Sequence, residues 1–158
     1  MKTSKVILRF FVTGTTLTNL AAQKLIQQEK LKKALTHLAY SYKKVTKLSS
    51  NMEELDEETL ETWESFAARF ARVCDIFLAR YLRTLVLIED PGFSGTLRDF
   101  LNVAEKMGVI ESAKDWLALR ELRNITAHEY SDKDMSMFFT TLRNSCPQLL
   151  DITNLLGS

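Results

Sequence analysis

The stretch from Glu58 to Ile88 most constrains the fold, because its pattern predicts one long helix. Apolar residues recur there at steps of three or four, which is the period of an α-helix. They form two neighbouring rows, so the helix is apolar over a broad arc and contacts neighbours on two sides. Such a helix is central to a bundle. The first row is Trp63, Phe66, Phe70, Val73, Phe77, Tyr81, Leu85 and Ile88, and the second is Leu60, Ala67, Ala71, Cys74, Leu78 and Leu82.

The rest of the chain favours the same architecture. With five glycines and two prolines among 158 residues, it has little material for the turns of a many-stranded sheet. A first helix is expected over 23–45, a short third helix after the breaker "EDPGFSG", a fourth from about Ser112, and a fifth after "SDKD". We therefore predict an all-α, up-and-down bundle of four to five helices, formed by residues 23–158.

Residues 1–22 are predicted to be an extension whose structure is uncertain, with a short strand as one option. Its "VILRFFV" resembles a secretory signal only weakly, because Arg9 interrupts the apolar run. No stretch approaches the ~20 apolar residues of a membrane span.

Cys74 and Cys146 lack metal-ligand spacing, and Cys74 lies in an apolar row, so we expect buried free thiols in a cytoplasmic protein without a metal.

Charge is divided unevenly along the chain. Residues 1–50 carry nine Lys and one Arg against one acid, a balance of 10 − 1 = +9, and the remainder carries 11 − 19 = −8. The basic end suits docking to an acidic partner or to RNA. Charge matching within the molecule is the alternative interpretation.

Four arginines of the long helix fall near one line and could form a strip that binds phosphate. The alternative is a solvated basic face that Asp75 neutralises in part. The four are Arg69, Arg72, Arg80 and Arg83.

The segment "RNITAHEY", residues 123–130, places three chemically capable side chains at short spacing. If the fourth helix continues through it, Arg123 and Tyr130 lie within about 20° of each other near the apolar face. Asn124 and His128 would then lie on another face, about 140° from Arg123. An arginine near an apolar face needs an anion or an acceptor. Two copies of this helix around a two-fold axis would bring both sets to one cleft.

These side chains have a definite chemistry. Histidine acts as a general acid or base near neutral pH, and a guanidinium holds a phosphate and stabilises its developing charge. Asn124 can orient the imidazole or donate to an oxyanion. The set suffices for attack of a ribose 2′-hydroxyl on its own phosphodiester without a metal or another cofactor. It is also sufficient for nucleotide binding alone, or for packing contacts at a helix end.

In this segment an Arg is followed after four residues by a His and after one further residue by a Tyr. This spacing is similar to the motif of HepT-type proteins in the HEPN superfamily, which are helical bundles that dimerise. The Trp- and Phe-rich helix followed by "GVIESAKDWLALRELRNITAHEY" also resembles the nucleotidyltransferase-associated substrate-binding proteins of that superfamily. The resemblance covers about residues 23–156.

The resemblance implies a homodimeric, metal-independent endoribonuclease toxin, neutralised by a small nucleotidyltransferase antitoxin. Arg123 would be the phosphate ligand, His128 the acid and base, Asn124 a supporting residue and Tyr130 the hydroxyl that the partner adenylylates. Further candidates for contact with RNA phosphates are Arg120, Arg83 and Arg80. Two alternatives remain open: a non-catalytic subunit that binds a nucleotide or substrate for the nucleotidyltransferase, and a purely structural bundle.

Overall fold

A computed structural model describes residues 3–125 and 131–157, with side chains in the first helix described from residue 16 onward. This part of the chain consists of helices and their connecting segments and has no β-strand, which confirms the predicted all-α class. Five helical rods build it. They are α1 (Thr3–Val45), α2 with α3 (Glu57–Ile76 and Leu82–Glu89, joined by a π-helical turn), α4 (Leu97–Lys106), α5 (Ala113–Asn124), and α6 with the short α7 (Asp132–Leu150 and Ile152–Leu156).

The rod of α2 and α3 is the centre of the core, as the two apolar rows predict. Trp63 and Phe70 are fully buried, and the Trp63 ring stacks on Phe139 of α6 at 4.9 Å between centroids. The Trp63 indole N–H donates to the Ser49 carbonyl at 2.9 Å, so its one polar group is satisfied. Further along the same apolar row, Phe77 packs against Trp116 of α5 at 4.7 Å. The core thus contacts α5 and α6 through aromatic rings.

A π-helical turn, Phe77–Tyr81, interrupts the rod, and in it the Leu82 N–H donates to the Phe77 carbonyl. Such a turn inserts one extra residue and therefore rotates everything after it by about 100° relative to an ideal helix. Residues on the two sides of the turn consequently face different neighbours.

Side chains cap the helices that follow. Thr96 begins α4 with a reciprocal capping box to Asp99, and Gly108 ends that helix region with a φ of 72°. Ser112 caps α5 by accepting from the Asp115 N–H, and Ser131 begins α6 in the same way. These short polar residues set where each helix starts, since they satisfy backbone N–H groups that have no partner inside the helix.

The first helix differs from its prediction, because it begins at Thr3 and runs unbroken past residue 22. Residues 3–22 are therefore helical, and the suggested short strand is wrong. Among the described side chains of α1, the first buried one is Leu31, whereas Leu17, Leu25 and Ile26 are exposed. No described helix carries an apolar run of the length and purity needed to cross a bilayer.

Candidate functional site

The site is organised by a bidentate ion pair between α5 and α2. Arg123, in the last turn of α5, donates from Nε to Asp75 Oδ1 at 2.8 Å and from Nη2 to Asp75 Oδ2 at 2.6 Å. Both side chains are partly exposed, 32% for Arg123 and 41% for Asp75. The hydrogen bonds to Asp75 raise the pKa of the Arg123 guanidinium, which therefore stays charged. The pair fixes the plane of the guanidinium while one edge of it remains accessible.

Asn124 extends this arrangement along α5. Its Oδ1 accepts a hydrogen bond from Arg120 Nη1 and a longer one, 3.4 Å, from Arg123 Nη1. One amide oxygen therefore orients two guanidinium groups, and the amide nitrogen of Asn124 is left to donate elsewhere. Asn124 is predicted to orient the imidazole of His128 or to donate to an oxyanion; the structure shows its oxygen in contact with Arg123, and His128 lies outside the described residues.

A groove of about 160 Å³ lies beside the ion pair, between α2, α3, α4 and α5. Arg83 and Arg120 line it together with the Asp75 side of the pair. The Arg83 guanidinium lies 4.7 Å from the centre of the Phe100 ring. The remaining wall residues are Cys74, Leu78, Ala79, Leu97 and Phe100. Of the three arginines predicted to contact phosphate, the structure brings Arg83 and Arg120 to one groove, while Arg80 is exposed and lies outside its lining.

Cys74 lines the same groove and is of a residue type that can act as a nucleophile, but its environment argues against a chemical role. It is fully buried, and burial, with the nearby charge of Asp75, raises the pKa of its thiol to about 12. The thiol therefore stays protonated near neutral pH, where only a thiolate would attack. Cys146 is likewise a buried free thiol, so the prediction for both cysteines is confirmed.

The proposed strip of four arginines is not a single face. Arg69 contacts α1, with its Nη1 donating to Ser41 Oγ at 2.6 Å and to the His37 carbonyl at 3.1 Å. Arg83, beyond the π-helical turn, stacks on α4 instead. The extra residue of that turn rotates the second half of the rod, which is why a straight helical wheel aligns residues that the fold separates. Asp75 neutralises Arg123 and not the strip.

The second half of the motif, His128 and Tyr130, lies outside the described residues. The described part of the motif corrects one assumption: α5 ends at Asn124, and Ile125 is extended with a ψ of 114°. The helical wheel for α5 therefore ends at Asn124 and does not reach His128 or Tyr130. Trp116, Leu119 and Leu122 are buried, so the predicted core-facing side of α5 is confirmed up to its end.

Two further observations bear on the chemistry of the surface. Among the described residues, no group of three or more His, Cys, Asp and Glu side chains could hold a metal ion. Among the described side chains, α1 forms one ion pair, Lys32 with Glu29 of the same helix at 3.4 Å. The acidic remainder of the described chain does not neutralise α1 by direct pairing. Its exposed lysines are Lys30, Lys32, Lys33, Lys43 and Lys44, and Lys47 is exposed in the turn that follows.

Comparison with models of protein families, with curated proteins and with solved structures gives no match to this chain.

Proposed function

We propose that this protein is a HepT-like, metal-independent endoribonuclease that acts as the toxin of a toxin–antitoxin pair. Arg123 holds the scissile phosphate and stabilises its charge in the transition state. His128 takes the proton of the ribose 2′-hydroxyl and returns one to the leaving oxygen. The products of such a step are a 2′,3′-cyclic phosphate and a free 5′-hydroxyl, and no metal or cofactor takes part.

The observation that carries this proposal is the bidentate pair of Arg123 and Asp75. It holds the guanidinium at the end of α5, five residues before His128 in the sequence. Asp75 uses the Nε and Nη2 donors, while Nη1 points toward Asn124 at 3.4 Å. A preorganised guanidinium with one free edge loses little conformational entropy on binding phosphate, which is the condition for strong charge stabilisation.

The exposed lysines of α1 support an RNA substrate. A polyanion gains affinity from each phosphate that a lysine or arginine neutralises, through release of counterions. Since these lysines have no acidic partner outside their own helix among the described side chains, their charge is available to a nucleic acid.

Dimerisation is part of the same proposal. The described surface of α5 next to α6 is a shallow, mainly apolar depression of about 730 Å³ that includes Leu119, Leu122 and Ile125. Ile125 is 37% exposed although it follows directly after the last turn of α5. A second copy that covers this surface around a two-fold axis near the end of α5 would place the two copies of that helix end, and with them Arg123, beside one cleft.

The second candidate function is a non-catalytic nucleotide-binding subunit of a nucleotidyltransferase complex. It is favoured by the same ion pair, because an arginine that gives two donors to a carboxylate has fewer left for a transition state. Binding of a nucleotide phosphate needs only the remaining edge of Arg123 and the arginines of the groove.

The test is cleavage of RNA by the purified protein in the presence of a metal chelator. Wild type should cleave, and the Arg123→Ala and His128→Ala variants should lose cleavage and growth arrest while circular dichroism shows an unchanged helical content. Lys106→Ala is the control, because Lys106 is exposed at the end of α4 and outside the groove, and it should cleave like wild type. Binding of nucleotide without any cleavage by wild type would establish the second candidate instead.

A separate variant tests regulation by the nucleotidyltransferase partner. Tyr130→Phe should cleave RNA like wild type yet escape neutralisation by the nucleotidyltransferase, because it lacks the hydroxyl that accepts the adenylyl group. Mass spectrometry that still finds the modification in this variant would reject Tyr130 as the acceptor.

A further inference from the structure

We infer that the groove between Arg83 and Arg120 is a subsite for one non-scissile phosphate of the RNA. This inference rests on the proposed function and adds a substrate contact to it. The two arginines come from different helices, α3 and α5, and from positions far apart in the sequence, yet they line the same small groove beside the Arg123–Asp75 pair.

Arg83 is held in a way that leaves its donors free. Its guanidinium lies over the Phe100 ring at 4.7 Å from the ring centre, a cation–π contact that uses no hydrogen-bond acceptor. Within the described part of the chain, its N–H groups donate to no protein acceptor. Those groups point outward in the guanidinium plane, which is the geometry that grips two phosphate oxygens at once. Phe100 itself is buried, so it provides a fixed support for the arginine.

Arg120 is held by a hydrogen bond, and this contact likewise leaves part of its guanidinium able to donate to a ligand. Its Nη1 donates to Asn124 Oδ1, and its Nε and Nη2 groups have no acceptor among the described residues. It reaches the groove from α5, opposite α3. The charges of Arg120 and Arg123 both act on the buried Cys74 thiol in the groove wall, where they favour the thiolate. Both positive charges therefore lie close to the groove.

The size of the groove selects a small anionic group. Its volume of about 160 Å³ is below the range of complete small-molecule sites, which begins at about 300 Å³. A whole nucleotide therefore does not fit, whereas a single phosphate of a chain that passes over the groove does. The apolar wall from Leu78, Ala79 and Leu97 lowers the local dielectric and strengthens the attraction of the arginines for an anion.

Asp75 does not cancel this attraction. Both of its carboxylate oxygens accept from Arg123, at 2.8 and 2.6 Å, so its negative charge is matched by a positive one at contact distance. The four ionised side chains of the groove and the pair, three arginines and one aspartate, leave a net charge of 3 − 1 = +2.

The experiment measures binding of the full-length protein to a 2′-O-methyl RNA oligonucleotide, which has no free 2′-hydroxyl and is not cleaved. Fluorescence anisotropy gives Kd over a range of salt concentrations. Arg83→Gln and Arg120→Gln should each weaken binding. The double variant should reduce the slope of log Kd against log salt by about 0.7, the value for one phosphate contact on a single strand. Two independent phosphates would reduce it by about 1.4.

Lys106→Gln is the control, since it removes one positive charge from the exposed end of α4 outside the groove, and it should leave Kd and slope unchanged. Arg83→Lys keeps the charge but not the planar fork, so it should weaken binding with an unchanged slope. If Arg83→Gln and Arg120→Gln bind like Lys106→Gln while wild type still cleaves RNA, the subsite is rejected and the proposed function stands. Effects on ATP binding alone would assign the groove to a free nucleotide and overturn the RNA subsite. Absence of both binding and cleavage in wild type would reject the two proposals together.

Discussion

Arg123 and Asp75 stand 48 positions apart in the sequence and join the end of α5 to the middle of the central rod through two parallel hydrogen bonds. Asp75 lies on α2 just before the π-helical turn, at the point where the rod changes the face that it presents to its neighbours. A bidentate pair fixes both the distance and the plane of a guanidinium. The orientation of Arg123 is therefore set by α2 as much as by its own helix.

The Asp75→Asn variant should distinguish a role of Asp75 in positioning Arg123 from a role in the stability of the fold. We expect a loss of less than about 1 kcal/mol in the free energy of unfolding, because the pair is partly exposed and screened by water. Cleavage of RNA should fall by up to about 100-fold, the effect of a misplaced reacting group. Urea denaturation and initial cleavage rates measure the two quantities.

Two further variants make that result specific. Asp75→Glu, which keeps the carboxylate, should restore part of the activity. Glu64→Gln removes an exposed carboxylate from the same helix and should change neither quantity. A cleavage rate in Asp75→Asn equal to that of wild type would show that the ion pair has no role in activity.

The N-cap of α5 should contribute to stability through the helix that carries Arg120 and Arg123. Ser112 accepts from the Asp115 N–H at 3.2 Å, so Ser112→Ala leaves that donor without its partner. We expect a loss of about 1 kcal/mol, measured by urea denaturation. Ser65→Ala is the control: Ser65 is exposed inside α2, and alanine there should be neutral or slightly stabilising. Equal effects of the two substitutions would contradict the capping role.

Two leucines of α1 test where this helix joins the core. Leu38 is fully buried, whereas Leu25 is 65% exposed. Leu38→Ala should destabilise the protein by about 2–5 kcal/mol through lost contacts and a cavity, and Leu25→Ala should stay within about 0.5 kcal/mol. Thermal unfolding of both variants measures the difference. A comparable loss in Leu25→Ala would mean that the first part of α1 is packed in solution.

Acid should destabilise the fold through its capping carboxylates. Hydrogen bonds from the Thr59 side chain and backbone lower the pKa of Asp56 below its ordinary 3.8, and those from Thr96 do the same for Asp99. Since the folded pKa is the lower one, the stabilisation is fully present above the unfolded value. It is lost as pH falls through the folded pKa, which places the decline below about pH 4.

Asp56→Asn tests this reasoning, because asparagine caps a helix nearly as well as aspartate but does not titrate. Urea midpoints at pH 7 should hardly change, and the decline toward pH 3 should become shallower. Glu64→Gln, whose carboxylate makes no hydrogen bond among the described side chains, should keep the wild-type pH profile. If the loss of stability toward pH 3 is the same in Asp56→Asn as in wild type, the Asp56 carboxylate does not contribute to the destabilisation by acid.

Much of the fold follows from local pattern. The two apolar rows of the long helix predict that Trp63, Phe70 and Phe77 are buried, since a helix with that period places these side chains on one face. The helix starts at Ser112 and Ser131 follow from side chains that cap their own backbone. Such effects act within a few residues, so the sequence alone determines them. The side-chain types of the motif, from Arg123 to Tyr130, are also read directly from the sequence.

The arrangement of the site was decided by tertiary structure. The need of Arg123 for an anion follows from the sequence, but the choice of Asp75 as its partner requires α5 to pack against α2. A helical wheel aligned Arg69 with Arg83, and the π-helical turn separates them, because backbone hydrogen bonding with one extra residue changes every later angle. Packing also brought Arg83 and Arg120 to one groove. Contacts between distant segments depend on how whole helices fit together, and no local pattern encodes that fit.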